Sequence, residues 1–388
     1  MGCSPRYRVG IAGAGAFAAF LAQALAPLPN FELTAVAGRT PRKRQTVIEA
    51  YLHRRSGADA KRPQEYEDAT QLVAAPGLDA VILTTPPHLH ASLTALALKE
   101  GKHVLAEKPG ALSVETLAEN GRLADGRGLA LAVNLVQPFN PLVEAVRRLL
   151  ELGVFGRPWQ AILYNSAHRV PDDSHWFWSH EMSGGIFVEH GVHFFEVARR
   201  WFGEAATAAG DVVPDEQGRE SRVFAQVVHA DRGSQQEVVV QYYHGFTLDR
   251  DIPESTGWTL HLAQGRLQIN GWIPTDLRVQ AKFTRAQAEL CDRVLDAVPT
   301  QPTHRALERL TSVDAAPVSS ADADERIAYE RTIELADRQG WYEAMAQARW
   351  LDFCRMMEEP GWRGLVSWED AAADLALAIA CAPGQPRP

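Results

Sequence analysis

A short apolar segment, Arg8 to Ala12, runs directly into Gly13-Ala14-Gly15-Ala16-Phe17-Ala18, and an alanine-rich stretch then continues to about Leu25. Few folds accept that order. A strand that turns on a glycine and opens at once into a helix is the first step of a doubly wound α/β sheet, built to hold a dinucleotide. Gly13 permits the tight turn, Gly15 lets a pyrophosphate approach the backbone, and Ala18 keeps the helix close to the sheet. Phosphate would rest on the helix N-terminus, where Ala16 and Phe17 begin the first turn. A plain strand-turn-helix with no ligand is the alternative, since Gly and Ala abound in this chain. The position of the pattern, after a strand and opening a helix, favours the nucleotide.

The second strand, Phe31 to Ala37, ends in Gly38-Arg39-Thr40. An NAD-selective site usually carries an acidic side chain there for the ribose hydroxyls. Here Gly38 leaves room, and Arg39 with Arg42 and Lys43 suits a 2′-phosphate, which favours NADP over NAD. Alternatively, Thr40 and Pro41 simply start a helix whose basic face is solvated. A third strand, Leu78 to Thr85, stops at Pro86-Pro87-His88-Leu89-His90, before a helix that closes at Gly101. Thr85, Pro86 and His90 are therefore expected on the cofactor side, with His90 as structure rather than as a base. The next strand ends in Glu107-Lys108-Pro109, which puts an amine at the carboxyl edge of the sheet, where open α/β sheets bind ligands. A surface charge is the bland reading of Lys108; its place beside two proline-bearing loops favours a functional one. A cis peptide before Pro109 would aim it. Ser113 is expected to cap the following helix, and Leu129 to Val133 supplies one more strand.

At 388 residues and 46% apolar content the chain is long enough for two domains. A net charge of -9 argues against nucleic-acid and anionic-membrane partners and for small-molecule ligands. The apolar run Ala16 to Leu28 is broken by Gln23 and Pro27 and is too short to span a bilayer. Met1-Gly2-Cys3-Ser4 is similar to the start of a myristoylation signal, but Arg6 stands where Ser or Thr is needed, so lipidation is not expected. Cys3, Cys291, Cys354 and Cys381 are scattered without metal-ligand spacing and read as reduced thiols of a cytoplasmic protein.

These motifs, with Phe139-Asn140-Pro141 and Gly153-x-x-Gly156 after them, carry a family likeness. The chain resembles the glucose-fructose oxidoreductase, inositol dehydrogenase and rhizopine-catabolism family of NAD(P)-dependent oxidoreductases, abbreviated Gfo/Idh/MocA. Its most specific signature here is Gly101-Lys102-His103-Val104-Leu105-x-Glu107-Lys108-Pro109; Gly13-x-Gly15-x-x-Ala18 and Thr85-Pro86-Pro87-x-x-His90 accompany it. The resemblance implies an N-terminal Rossmann domain over 1–134 and a C-terminal α+β domain over 135–388. The second would carry an open, mainly antiparallel sheet whose outer face often forms dimers or tetramers. Cofactor contacts are then expected from Gly13, Gly15, Ala16, Phe17, Arg39, Thr85, Pro86, His90, Glu107 and Lys108.

In the second half, Asn140-Pro141 opens a helix to about Leu152, and Pro158 to Arg169 reads as a strand. Further strands are expected at Val223 to His229 and Glu237 to Tyr243, around the turn Asp231-Arg232-Gly233. Another hairpin runs over Thr259 to Ala263 and Arg266 to Asn270, around Gln264-Gly265. The chemistry lies between Trp176 and Glu196. If the chain is helical after Gly185, Glu189, His193 and Glu196 share a face, and a carboxylate beside an imidazole makes a proton shuttle near neutral pH. The family pattern is Gly-Gly-x-x-x-Asp-x-x-x-His, and Glu189 and His193 fall on its last two positions. Glu for Asp moves the carboxylate by one methylene. A second departure is Gln137-Pro138, where relatives often carry a basic residue. Trp176 and Trp178 can stack on a ring-shaped substrate or simply fill the core, and His190 is a further substrate-side candidate. His175, His180, His190 and His193 with Glu189 raise a metal reading, but hydride chemistry needs none and no metal is expected.

Residues 292–326 are polar and punctuated by prolines, as in a surface insertion with short helices. Tyr342 to Met357 reads as an amphipathic helix, and Ser367-Trp368-Glu369-Asp370 opens a last helix to about Ala380. The expected function is hydride transfer between NADP or NAD and a hydroxyl or carbonyl carbon of a sugar, cyclitol or related small molecule. Lys108, His193 and Glu189 would be catalytic; Lys108, Trp176, Glu189, His190 and His193 would meet the substrate. Two alternatives remain: a glycosidase or lyase acting through transient oxidation, and a non-catalytic ligand sensor. A homodimer or homotetramer is expected.

Overall fold

The computed structural model describes residues 7–55, 61–230, 237–314, 316 and 325–382; Cys3, the Met1-Gly2-Cys3-Ser4 motif and the Asp231-Arg232-Gly233 turn lie outside them. Internal contacts divide the chain into two units. One comprises residues up to Leu135 together with Ser179–Gly184, which holds α7 (His180–Ser183), and Ala346–Leu375; the other comprises Val136–Trp178, Gly185–Met345 and the residues from Ala376. The expected division into 1–134 and 135–388 therefore needs a correction: two later segments return to the first unit.

In the first unit, β1 (Tyr7–Ala12), β2 (Phe31–Ala37), β3 (Gln64–Tyr66), β4 (Ala80–Leu83), β5 (His103–Ala106) and β6 (Leu131–Val133) form one sheet in the order β3-β2-β1-β4-β5-β6. Every pairing in it is parallel. This is the doubly wound order, reversing at β1 and β4. Strands buried on both faces read as unbroken apolar runs, which is why Ala80–Leu83 and Val104–Ala106 contain no outward polar residue. Helices α1 (Ala16–Leu25) and α2 (Pro41–Arg54) cover one face. On the other lie α3 (Ala69–Ala74), α4 (His90–Lys99) and α5 (Val114–Arg127). The Ser113 hydroxyl accepts the Thr116 amide at 3.3 Å as the N-cap of α5, and Gly128, with φ of 65°, ends it.

The late segment joins the same core. The second part of α11 (Arg338–Glu358) brings Trp350, Phe353 and Cys354 onto the α1/α2 face, with the Trp350 ring 5.3 Å from that of Phe31. Arg349 is fully buried. It donates to the carbonyls of Val133 (2.7 Å) and Val366 (3.2 Å) and to Asp352 Oδ2 (2.7 Å). Asp352 in turn accepts the Trp362 indole and the Leu365 amide, each at 3.0 Å. α12 (Trp368–Ala380) opens with a reciprocal cap: the Ser367 hydroxyl accepts the Asp370 amide while Asp370 accepts the Ser367 amide.

The second unit begins with α6 (Pro141–Glu151), whose first turn is capped by Asn140 accepting the Leu142 amide at 2.9 Å. Its sheet contains β7 (Pro158–His168), β8 (Glu204–Pro214), β9 (Glu220–Ala230), β10 (Glu237–Leu248), β11 (Ser255–Leu262), β12 (Gly265–Asn270), β13 (Asp276–Phe283) and β14 (Ile327–Glu334). The order is β14-β13-β12-β11-β7-β10-β9-β8. It is antiparallel except where β10 runs parallel to β7. β9 alternates strictly, with Val223, Ala225, Val227 and His229 inward and Phe224 outward. The hairpin between β11 and β12 turns on Ala263-Gln264, one residue earlier than expected. The reading of 292–326 as a surface insertion is corrected in part. Residues 285–296 form α9, opened by a capping box between Thr284 and Gln287, and Val294, Leu295, Val298, Ala306 and Leu310 are buried, the last two on α10 (Ala306–Thr311). Among the described residues no helix is long and apolar enough to cross a membrane.

Candidate active site

The first unit supplies a glycine loop whose geometry follows from three residues. Gly13 has φ of 118°, and a Cβ there would lie 2.5 Å from the Thr84 hydroxyl, so only glycine fits between the strand ends. Gly38 is equally constrained: a Cβ would meet that of Ala14 at 2.6 Å. The glycine that was expected to leave room instead lets the end of β2 pack on the loop. Gly15 is the opposite case, exposed and extended at the N-cap of α1, with nothing within 4 Å of where a Cβ would stand. No side chain caps this helix and no acid lies in its first turn, so an anion placed before it meets helix amides without competition. Ala16 is exposed there, Phe17 is half-buried against Phe20, and Ala18 is fully buried.

Beyond β2, Arg39, Arg42 and Lys43 are exposed. Arg44 behaves differently and was missed in the sequence: it is buried, donates to the Gly38 carbonyl at 2.6 Å and pairs with Glu65 at 2.9 Å. Arg62 holds the same carboxylate, and the two guanidinium groups keep Glu65 below the usual carboxylate range. No acid therefore stands at the tip of β2 itself.

At the ends of β4 and β5, His90 is buried and its Nε2 lies 2.6 Å from the Thr85 carbonyl. The Thr85 hydroxyl is buried without a partner. Pro86 is half-buried in the same loop. Glu107 accepts from the Asn134 amide at 2.5 Å, Lys108 is half-buried beside it in the chain, and the Lys108–Pro109 peptide is cis. An open cradle at Gly15 and an unsatisfied hydroxyl at Thr85 fit a dinucleotide laid along this edge.

In the second unit the helix after Gly185 is not α-helical throughout. Phe187–Gly191 is a π turn, and α8 (Val192–Phe202) follows it. Such insertions are frequent at functional sites. Glu189 lies within the π turn and His193 in the first turn of α8; both are buried. Glu196 does not join them in a shared wall, because Arg200 at 2.5 Å and Arg199 at 3.6 Å hold its carboxylate. Trp178 is also committed, with its indole on the Val170 carbonyl at 3.2 Å and Arg219 over its ring at 5.1 Å. Trp176 is half-buried, 5.0 Å from the His175 ring. Among the described residues no group of three or more His, Cys, Asp or Glu is arranged to hold a metal ion.

Trp272 completes this region and carried no sequence signal. Its ring stacks on His190 at 5.0 Å and 25°, and meets His193 edge-on at 4.8 Å and 80°. The loop that holds it is tied by buried amides: Gln137 donates to the Trp272 carbonyl at 2.5 Å and Asn140 to the Pro274 carbonyl at 3.0 Å. Gln137, a departure from the family pattern, thus has a positioning task. Truncating Trp272 to Leu removes its ring contacts to His190, His193 and Phe194, worth about 0.5–1.5 kcal/mol each. We expect kcat/KM to fall about tenfold, with Trp272→Phe recovering most of it; equal losses in both variants would refute the stacking role.

Burial makes His90, His229 and His244 resist protonation in the folded chain. Burial lowers His90 to about 4, helped by the charges of Lys108 and His88 and opposed by the Thr85 carbonyl. Burial likewise lowers His229 to about 4, against its bond to the Gly203 carbonyl, and drives His244 well below its ordinary value, with His190 adding to the effect. Above pH 6.5 these groups are neutral in both states. Between about 6.5 and 4 the unfolded chain takes up protons that the folded chain refuses, so stability falls as pH falls, by up to about 1.4 kcal/mol per pH unit per histidine. Urea unfolding at pH 7.5, 6 and 5 should show this slope, and His244→Leu should flatten it; an unchanged slope would refute the assignment.

Residues 7–135 match the family described as an oxidoreductase family with an NAD-binding Rossmann fold, and residues 143–252 match the GFO/IDH/MocA C-terminal domain. The chain is similar to scyllo-inositol 2-dehydrogenase (NAD(+)) of Bacillus subtilis, 29% identical over 37% of this chain and 40% of that protein. It is also 29% identical to dTDP-3,4-didehydro-2,6-dideoxy-alpha-D-glucose 3-reductase of Streptomyces violaceoruber, over 68% of this chain and 72% of that one. Among solved structures, biliverdin reductase of Synechocystis in complex with biliverdin and NADP+ shares the fold, with a TM-score of 0.67 at 18% identity, covering 97% of this chain and 98% of that one.

Proposed function

Since the chain belongs to the Gfo/Idh/MocA family of NAD(P)-dependent oxidoreductases, we propose that it oxidises a hydroxyl, or reduces a carbonyl, on a sugar, cyclitol or related small molecule. The observation that carries this reading is Lys108, half-buried at the carboxyl end of β5 in the sheet that also carries the open Gly15 cradle. A bound nicotinamide would supply the hydride chemistry. In the oxidation direction His193 takes the hydroxyl proton, and Glu189 orients the imidazole or meets the substrate. Lys108 donates a hydrogen bond to the same oxygen and stabilises its developing charge. Trp176 and His190 contact the substrate. Gly13, Gly15, Ala16, Phe17, Thr85, Pro86, His90 and Glu107 form the cofactor side.

NADP is favoured over NAD because β2 ends in Gly38-Arg39-Thr40, a cation where a ribose-binding acid would stand. The protein is read as cytoplasmic, with reduced thiols at Cys291, Cys354 and Cys381, each buried and pushed up to about 12. A homodimer or homotetramer would use the outer sheet face, where Tyr164, Phe224 and Tyr243 are exposed.

The test is calorimetric titration of cofactor-stripped protein with NADPH and NADH, followed by nicotinamide absorbance with a panel of polyols and aldoses. NADPH should bind more tightly, and Arg39→Glu should weaken it about tenfold or more while sparing NADH. Failure of both nucleotides to bind would refute the glycine-loop reading. Binding without substrate-dependent absorbance change would refute net hydride transfer.

A further inference from the structure

On the second unit an open cavity of about 500 Å³ lies among Arg169, Arg222, Glu216, Gln217, Pro214 and Phe246. Its volume falls in the range of small-molecule sites. None of these residues belongs to the chemistry assigned above, yet the cavity adjoins it through one ring. Phe246, one of its lining residues, meets His190 edge-on at 5.1 Å, and His190 is the ring stacked on Trp272. A substrate held at His190 and His193 would lay any further part over Phe246.

The charges decide what that part is. Asp173 is paired with Arg169 and Arg219, and Asp215 with Arg219, which holds both carboxyls below their usual range. That leaves one cation and one anion on the wall: among the described residues neither Arg222 nor Glu216 makes an ion pair. Arg222 gives one hydrogen bond to the Pro214 carbonyl at 3.2 Å, and its buried Nε has no acceptor. A phosphate or carboxylate would satisfy Arg222 but face Glu216 at like charge. A sugar hydroxyl is both donor and acceptor and satisfies both, while Pro214 and Phe246 offer apolar surface to the C–H face of a ring.

We propose that this cavity is a subsite for a second, uncharged saccharide ring, so that the substrate is a glycoside or oligosaccharide in which the ring beside His193 is the one that reacts. The proposal rests on the dehydrogenase reading for which ring reacts, but the cavity can be tested without turnover.

Cofactor-free full-length protein would be titrated by calorimetry with glucose, glucose 1-phosphate, maltose and cellobiose. At least one disaccharide should bind about tenfold or more tightly than glucose, as expected for one or two added net hydrogen bonds. Thr247→Trp, at an exposed position on the cavity rim, should bring that ratio close to one, and Arg222→Gln should lower it severalfold; unfolding midpoints check that both variants fold. Equal binding of disaccharides and glucose, or a ratio that survives Thr247→Trp, would overturn the subsite. Tighter binding of glucose 1-phosphate than of either disaccharide would overturn its uncharged character. A disaccharide preference in a protein that shows no hydride transfer would refute the dehydrogenase reading and leave the cavity assignment standing.

Discussion

His193→Gln should slow hydride transfer by about 10²- to 10⁴-fold, the usual contribution of a positioned general base, while leaving the dissociation constant of the dinucleotide unchanged. The substitution keeps a side chain of similar reach but removes the basic nitrogen. His193 is buried at the start of α8, just after the π turn that carries Glu189, and the edge contact with Trp272 fixes its ring plane. Those constraints suit a base whose geometry is set before substrate arrives. Single-turnover absorbance with saturating substrate separates the chemical step from binding. A loss of less than about threefold would remove His193 from the role, and a parallel loss of cofactor affinity would mean that the protein is damaged rather than disarmed. Lys108→Met belongs in the same experiment, since loss of one oxyanion donor typically costs about 10²–10³ in kcat.

Arg349→Leu should destabilise the first unit by about 3–5 kcal/mol, the usual result of removing one partner from a buried ion pair. The arginine serves three acceptors at once: the carbonyl of Val133 at the end of β6, the carbonyl of Val366, and the carboxylate of Asp352. Leucine abandons all three. Asp352 keeps the Trp362 indole and the Leu365 amide, and the Val133 carbonyl keeps the Leu135 amide at 2.8 Å, but all three acceptors lose a charged donor inside the core. Urea unfolding followed by tryptophan fluorescence measures the loss. A loss under about 1 kcal/mol would mean that water replaces the arginine.

Much of the first unit was legible because its signals are local. The glycine loop, the Ser113 cap and the Glu107-Lys108-Pro109 strand end are each contained in a few consecutive residues, and each is found where it was expected. The second unit was less so. β8, β13 and β14 were not anticipated: β8 is rich in Ala and exposed residues, and β14 is a sheet edge with weak alternation. Periodicity also cannot register a π turn, which inserts residues without changing composition, nor the Arg199 and Arg200 pairs that take Glu196 out of the wall expected with Glu189 and His193. Trp272 reaches His190 from a loop far along the chain, and only the fold brings their rings together. The solvated basic face expected after β2 concealed Arg44 for a related reason. Its partners, the Gly38 carbonyl and Glu65, become neighbours only once β3 pairs with β2.

The return of residues 346–375 to the first unit matters while the protein is being made. Synthesis proceeds at about 5–20 residues per second, so the roughly 200 residues between Leu135 and Ala346 take about 10–40 s to emerge. During that interval the nascent sheet is complete in its strands but lacks Trp350 against Phe31 and Phe353 in the same core, and it lacks the guanidinium that secures the end of β6. A ribosome-tethered chain stalled before α11 should therefore remain sensitive to protease and occupied by chaperones, whereas one stalled after α12 has cleared the exit tunnel should not. For the same reason, cutting the gene after codon 135 would not release an independent nucleotide-binding module.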